Sequence, residues 1–158
     1  MKDKLIEIKR KIISSVRYFR LKFLKPLKIG VNYSLGKNCF ASRKNIIFIG
    51  DNFYMGNNCH LAANALIGND VLLASYVSLV GGDHKIDNIN VPIRLSGRDK
   101  LIKIKIEDNV WVGHGSIILQ GVTLSTGCVI AAGSVVTKNV GANEIWGGNP
   151  AKFIRKRL

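Results

Sequence analysis

An aliphatic side chain at every sixth position narrows the folds open to this chain more than any other feature. The series runs Ile49, Met55, Leu61, Ile67, Leu73 and Leu79, stops, and resumes as Ile106, Val112, Ile118, Leu124, Ile130 and Val136. An α-helix repeats about every 3.6 residues and a strand about every 2, so neither accounts for it. The residue after each aliphatic is often small, as at Gly50, Gly56, Ala62, Gly68, Ala74, Gly113 and Ala131. Four places on comes a second small or apolar residue, as at Cys59, Ala65, Val71, Val77, Ser116, Val122, Cys128 and Ser134. Two inward side chains in six residues describe a short strand and a tight corner. The IGDN, IGND and IEDN segments supply residues that tolerate a corner's backbone angles. Three strands close a triangular winding of eighteen residues, each winding about 4.8 Å above the last. The expected fold is an all-β, parallel β-helical solenoid. An earlier piece, Ile29 with Gly30 and Leu35 with Gly36, keeps the form two residues out of phase, which predicts a bulge or small loop within residues 41–48.

A length of 158 residues with 47% hydrophobic content suits one globular domain. No uncharged apolar run approaches the roughly 18–20 residues of a membrane span, and charges break up the N-terminal stretch that a secretory signal would keep apolar. A cytoplasmic protein is the expectation. The net charge of +14 is concentrated at the ends: residues 1–28 hold ten Lys or Arg against Asp3 and Glu7, and the tail carries Lys152, Arg155, Lys156 and Arg157. Such ends suit anionic partners such as phosphates or lipid headgroups. No nucleic-acid-binding motif accompanies the charge, so nucleic acid is not an expected partner. Cys39, Cys59 and Cys128 are odd in number, lack a CxxC pair and occupy the small inward slot of their hexads. They read as packing thiols in a reducing compartment, and no metal is expected.

In IEDNVWVGHGSIILQGVTLSTGCVIAAGSVVTKNV and the tail GGNPAKFIRKRL, the chain resembles the hexapeptide-repeat acyltransferases, in particular their galactoside, maltose, O-antigen and streptogramin acetyltransferases. The likeness covers about residues 29–157. The resemblance implies a left-handed parallel β-helix, association as a homotrimer, active sites in clefts between neighbouring coils, and acetyl-coenzyme A as donor.

Between Leu79 and Ile106, the stretch GGDHKIDNINVPIRLSGRDKLIKIK is too long for a winding and should leave it as a loop at about residues 81–102. Long loops in compact domains usually carry function. His84 stands at the root. An imidazole there can take the proton of an acceptor hydroxyl as its oxygen attacks a thioester carbonyl, assistance worth roughly 10²–10⁴ in rate. Similar enzymes place their catalytic histidine in this loop, and His84 matches it. Asp83, and equally Asp87, could orient the ring. By the same resemblance, His114 offers its backbone N–H to the developing oxyanion, at a position where relatives often carry Ser or Ala. Trp111 shapes the cleft near the acyl group. Gly113, Ala132 and Gly133 let the pantetheine arm approach the backbone, and Thr137, Lys138, Lys152 and Arg155 meet the adenosine and phosphates. Plainer roles are open to each of these: corner glycines, a packed aromatic, solvated cations. His60 falls at a hexad corner and reads as structural. Asn57, Asn58 and Asn64 are candidates for holding a sugar, with no choice made among them.

Leu5, Ile8, Ile12, Val16, Phe19 and Phe23 form one helical stripe among Lys and Arg. This predicts a basic amphipathic helix over residues 1–28. Through residues 1–25 it could cover the open end of the solenoid or lie peripherally at the inner face of an anionic membrane. The solenoid would fill residues 29–141, and residues 142–158 would form a tail with a short helix. The expected function is acetyl transfer from acetyl-coenzyme A to a sugar hydroxyl in surface polysaccharide assembly. Transfer to the amine of an amino sugar or nucleotide sugar is one alternative, and a non-catalytic binding module is another. Zinc lyases of the carbonic anhydrase type share the architecture but need closely spaced ligands, whereas His60, His84 and His114 lie 24 and 30 residues apart.

Overall fold

The computed structural model describes residue 12, residues 27–42 and residues 44–158. The expected N-terminal helix lies outside the described residues except for Ile12 and the last two positions, which already belong to a strand. The first winding is β1 (Leu27–Ile29), β2 (Ser34–Leu35) and β3 (Phe40–Ala41), so the solenoid starts two residues before the expected boundary. The second is β4 (Ile47–Ile49), β5 (Tyr54–Met55) and β6 (His60–Leu61), and the third is β7 (Ala65–Ile67), β8 (Leu72–Leu73) and β9 (Ser78–Val80). The fourth is β10 (Ile104–Ile106), β11 (Trp111–Val112) and β12 (Ile117–Leu119), and the fifth is β13 (Thr123–Leu124), β14 (Val129–Ile130) and β15 (Val135–Val136). Each winding gives one strand to each of three parallel faces, in the orders β1-β4-β7-β10-β13, β2-β5-β8-β11-β14 and β3-β6-β9-β12-β15.

The six-residue series is the core. All twelve of its aliphatics are buried, none more than 6% exposed, and Cys59, Ala65, Val71, Val77, Ser116, Val122, Cys128 and Ser134 fill the second inward slot. Register follows from this: Ile47 pairs with Ala65, an offset of eighteen residues. Between the first two windings Leu27 pairs with Ile47, an offset of twenty. The extra residues are absorbed near Asn45, which is buried and donates its N–H to the Ser42 carbonyl at 3.2 Å. This is the irregularity expected within residues 41–48.

Corners turn three places after an inward aliphatic, in the left-handed backbone region. Asn32, Asn52, Asp70 and Asn109 do so between the first and second faces, and Asn38 and Asn58 between the second and third. Asn and Asp tolerate this conformation better than bulkier residues. Tyr76 takes the same place with φ 63°, a conformation that costs on the order of 1–3 kcal/mol.

Beyond β15, Val140 bridges to Leu124 and the chain forms β16 (Glu144–Gly147) and β17 (Lys152–Lys156). β16 extends the second face beside β14, and β17 runs back antiparallel to β16. The short C-terminal helix expected from AKFIRKRL is therefore a strand. Without it, β16 would end the face with a row of unpaired backbone groups, which a strand can satisfy and a helix cannot. The Arg157 guanidinium fastens the hairpin by donating to the Gly127 carbonyl at 2.7 Å. No helix among the described residues is long and apolar enough to cross a membrane.

Ile118 is fully buried in the inward stack. Ile118→Ala should lower stability by about 2–5 kcal/mol, measured as a reduced urea midpoint followed by tryptophan fluorescence.

Candidate active site

β9 lies on the third face and β10 on the first, so the segment between them leaves the solenoid at the corner joining those faces. Across this excursion Ala65 pairs with Ile104, 39 residues away, and the ladder continues undisturbed. The loop's root is a short antiparallel ribbon. His84 bridges Arg98, the Asp99 N–H donates to the Asp83 carbonyl at 2.9 Å, and the Lys85 N–H donates to the Gly97 carbonyl at 3.2 Å. Arg98 donates to the Gly82 carbonyl at 2.5 Å, while Gln120 from the next winding accepts the Gly82 N–H at 3.1 Å. His84 is thus anchored from both sides.

The His84 Nδ1 is buried and has no hydrogen-bond partner among the described residues, which leaves Nε2 as the nitrogen facing outward. The orientation expected from Asp83 is not made, nor is one from Asp87: no hydrogen bond joins the ring to either carboxylate. Adjacent residues on an extended ribbon project to opposite faces, so Asp83 points away from the imidazole beside it. Asp87 instead lines a polar cavity of about 590 Å³ inside the loop with Lys85, Asn88 and Asp99.

The other expected residues fall elsewhere. Gly113, His114, Ala132 and Gly133 sit at the corner between the second and third faces, after β11 and β14. Thr137 and Lys138 follow β15, at the corner from which the loop departs, and Lys152 and Arg155 lie on β17. Trp111 is exposed on the second face and shares a groove of about 620 Å³ with Leu72, Val129, Ile145 and Arg155. Within one chain, the whole third face separates His84 from His114.

At the corner of His114 the small residues gain a physical meaning. In the lower windings each corner N–H is claimed by a side chain from the winding above: Lys37 by Asn57 Oδ1 at 2.7 Å, and Asn57 by Ser75 Oγ at 3.0 Å. The ladder stops there: neither His114 nor Ala132, next up the column, places an acceptor on the amide below it. The N–H groups of Ser75, His114 and Ala132 have no acceptor among the described residues, and stand one winding apart, about 4.8 Å. A Cβ on Gly113 would fall 2.6 Å from the Ala132 nitrogen and 2.7 Å from the Ile130 carbonyl oxygen, closer than a carbon can sit, so only glycine lets the two windings stack here. Beside the column, Gly115 and Gly133 turn with positive φ, and a Cβ on either would meet nothing within 4 Å. The result is an open shelf with a row of free donors. Tyr76 closes its lower end, its ring 5.2 Å from that of His114.

Sequence reading missed Ser75 and Tyr76. The signal was present: Tyr76 fills a hexad position occupied elsewhere by Asn, Asp or Gly. Of the asparagines considered for a sugar, Asn57 and Asn64 spend their side-chain oxygens on the N–H groups of Lys37 and Ile46, and Asn58 is a left-handed corner. His60 lies against Phe40 on the third face, ring centroids 5.1 Å apart. Among the described residues no group of three or more His, Cys, Asp or Glu could hold a metal ion.

Comparison with known proteins bears on this arrangement. A family model described as the hexapeptide repeat of succinyl-transferase matches residues 103–138. The galactoside O-acetyltransferase of Escherichia coli K12 is 33% identical over 130 residues, covering 81% of this chain and 63% of that protein. A crystal structure of a maltose O-acetyltransferase from Clostridium difficile 630 matches at 32% identity and a TM-score of 0.59, over 85% of this chain and 68% of that one. A galactoside acetyltransferase in complex with coenzyme A matches at 31% identity and a TM-score of 0.73, over 82% and 64%. The chain spans about half to two thirds of the length of the first curated relatives it matches.

The inward cysteines take no part in the site. Burial pushes the Cys128 thiol up to about 12, and a hydrogen bond with Cys39 together with burial raises that of Cys59. Because the thiolate is the nucleophile, iodoacetamide at neutral pH should leave Cys59 and Cys128 unmodified in the folded protein and label both after unfolding, as read by peptide mass mapping.

Proposed function

This chain belongs to the hexapeptide-repeat acyltransferase family, and from that premise we propose that it transfers an acetyl group from acetyl-coenzyme A to a sugar hydroxyl. The column of free amides at Ser75, His114 and Ala132 carries the reading. An extended pantetheine arm presents carbonyl groups in a row, and a strand-like spacing of donors over an open glycine shelf suits it. The cations Lys152 and Arg155 lie on β17 at the C-terminal end of the solenoid, where the donor's phosphates would sit, and Lys138, at the corner that carries His84, would reach them from the neighbouring copy. The thioester then points toward the third and fourth windings.

In the reaction, the His114 N–H stabilises the charge that develops on the thioester oxygen. The Nε2 of His84 accepts the proton of the attacking hydroxyl and returns it to the departing coenzyme A thiolate. Because the third face separates these two groups in one chain, His84 acts on a donor bound by a neighbouring copy. Three chains side by side would give three such clefts, with the loop root of each at the same height as its neighbour's Tyr76. A saccharide acceptor is supported by the galactoside and maltose enzymes among the relatives. A role in polysaccharide assembly rests further on the basic residues 1–28, which would draw the enzyme to an anionic membrane surface bearing lipid-linked substrate.

The test is incubation with acetyl-coenzyme A and a panel of free, nucleotide-linked and lipid-linked sugars, following thiol release. His84→Ala should lower turnover by about 10²–10⁴ with donor affinity retained, and wild-type turnover in that variant would refute the base.

A further inference from the structure

Resting on that reading of the donor site, we infer that Tyr76 and His114 form a wall that ends the acyl pocket and confines the donor to a short acyl group. Tyr76 is the only residue among the described residues, apart from Gly, Asn and Asp, with a positive φ. Its counterparts at this corner are Asn38, Asn58, Gly115 and Gly133, any of which the backbone accepts more readily. A bulky residue persists in such a conformation where its side chain is needed.

The placement of the ring says for what. Tyr76 follows Ser75, the lowest free amide of the column. Below it the Asn57 N–H is already taken by Ser75 Oγ, so the row of donors ends at this level. The cations Lys152 and Arg155 lie at the opposite end, on β17 beyond the fifth winding. A donor held by its phosphates there and by its thioester at His114 directs its acyl carbons at the Tyr76 ring. That ring is 54% exposed, so it is not a core side chain, yet it is set against the His114 imidazole at 5.2 Å with the planes tilted by 56°. Each side chain limits the other's movement, and together they close the lower end of an otherwise open shelf. His84 belongs to the same winding as Tyr76, so the wall stands at the level where the neighbouring copy delivers its base.

A pocket of fixed depth discriminates by roughly 10–200-fold per methylene. Wild-type protein should therefore favour acetyl- over butyryl-coenzyme A by at least about a hundredfold in kcat/KM. Tyr76→Asn, which removes the ring and supplies a residue suited to the corner, should narrow that ratio about tenfold or more through a gain with butyryl-coenzyme A. Its thermal midpoint should rise, so the change cannot come from unfolding. Tyr76→Phe keeps the ring and should keep the wild-type ratio. Calorimetric titration of both acyl-coenzyme A species distinguishes a missing donor site from a missing wall. If the wild-type protein binds neither, the donor site itself is wrong and the wall falls with it. If it binds and uses both equally, or if Tyr76→Asn raises the midpoint without moving the ratio, the donor site stands and the wall is refuted.

Discussion

The structure depends on one requirement: each winding must return the chain to the same lateral position, so that its inward aliphatic stacks on the one below while its backbone pairs with it. Ile49 over Ile67, Leu73 over Met55 and Leu79 over Leu61 satisfy both at once. Burial and the parallel ladder therefore reinforce one register. A shift of one residue along a strand would turn every inward side chain outward.

Because register is held this way, the solenoid can extrude a long segment without penalty to the windings on either side. The ladder resumes at Ile104 as though residues 81–103 were absent. Side chains can be added at a corner without disturbing the core, and His84 stands there on a ribbon fixed by Arg98 and Gln120. The opposite corner is built by subtraction. Wherever Asn or Ser stands in the column, its side chain consumes the amide below; where His114 and Ala132 stand, the amides stay open. Tyr76 is the exception to corner chemistry at the foot of that column, a local cost in backbone energy beside the place where donor and base would meet.

Much of this was legible in the chain. The six-residue period identified the two inward slots of the windings, the two-residue phase change placed an irregularity within residues 41–48, and the failure of the period marked the loop that carries His84. Other features were not legible, for physical reasons. AKFIRKRL has apolar residues at Ala151, Phe153, Ile154 and Leu158, a spacing that selects neither helix nor strand, and only the open edge of β16 decides between them. Asp83 is next to His84 in sequence but opposite to it on a ribbon, which adjacency alone cannot reveal.

What the sequence determined by itself is whatever a periodic pattern encodes: which side chains face inward, how many residues make a winding, and where the pattern is interrupted. Tertiary structure alone decided which amides remain unclaimed, that Tyr76 lies against His114, and that a whole face divides His84 from the corner it would serve. Those facts depend on residues brought one above another from different windings, and separation along the chain carries no record of which polar groups such stacking leaves free.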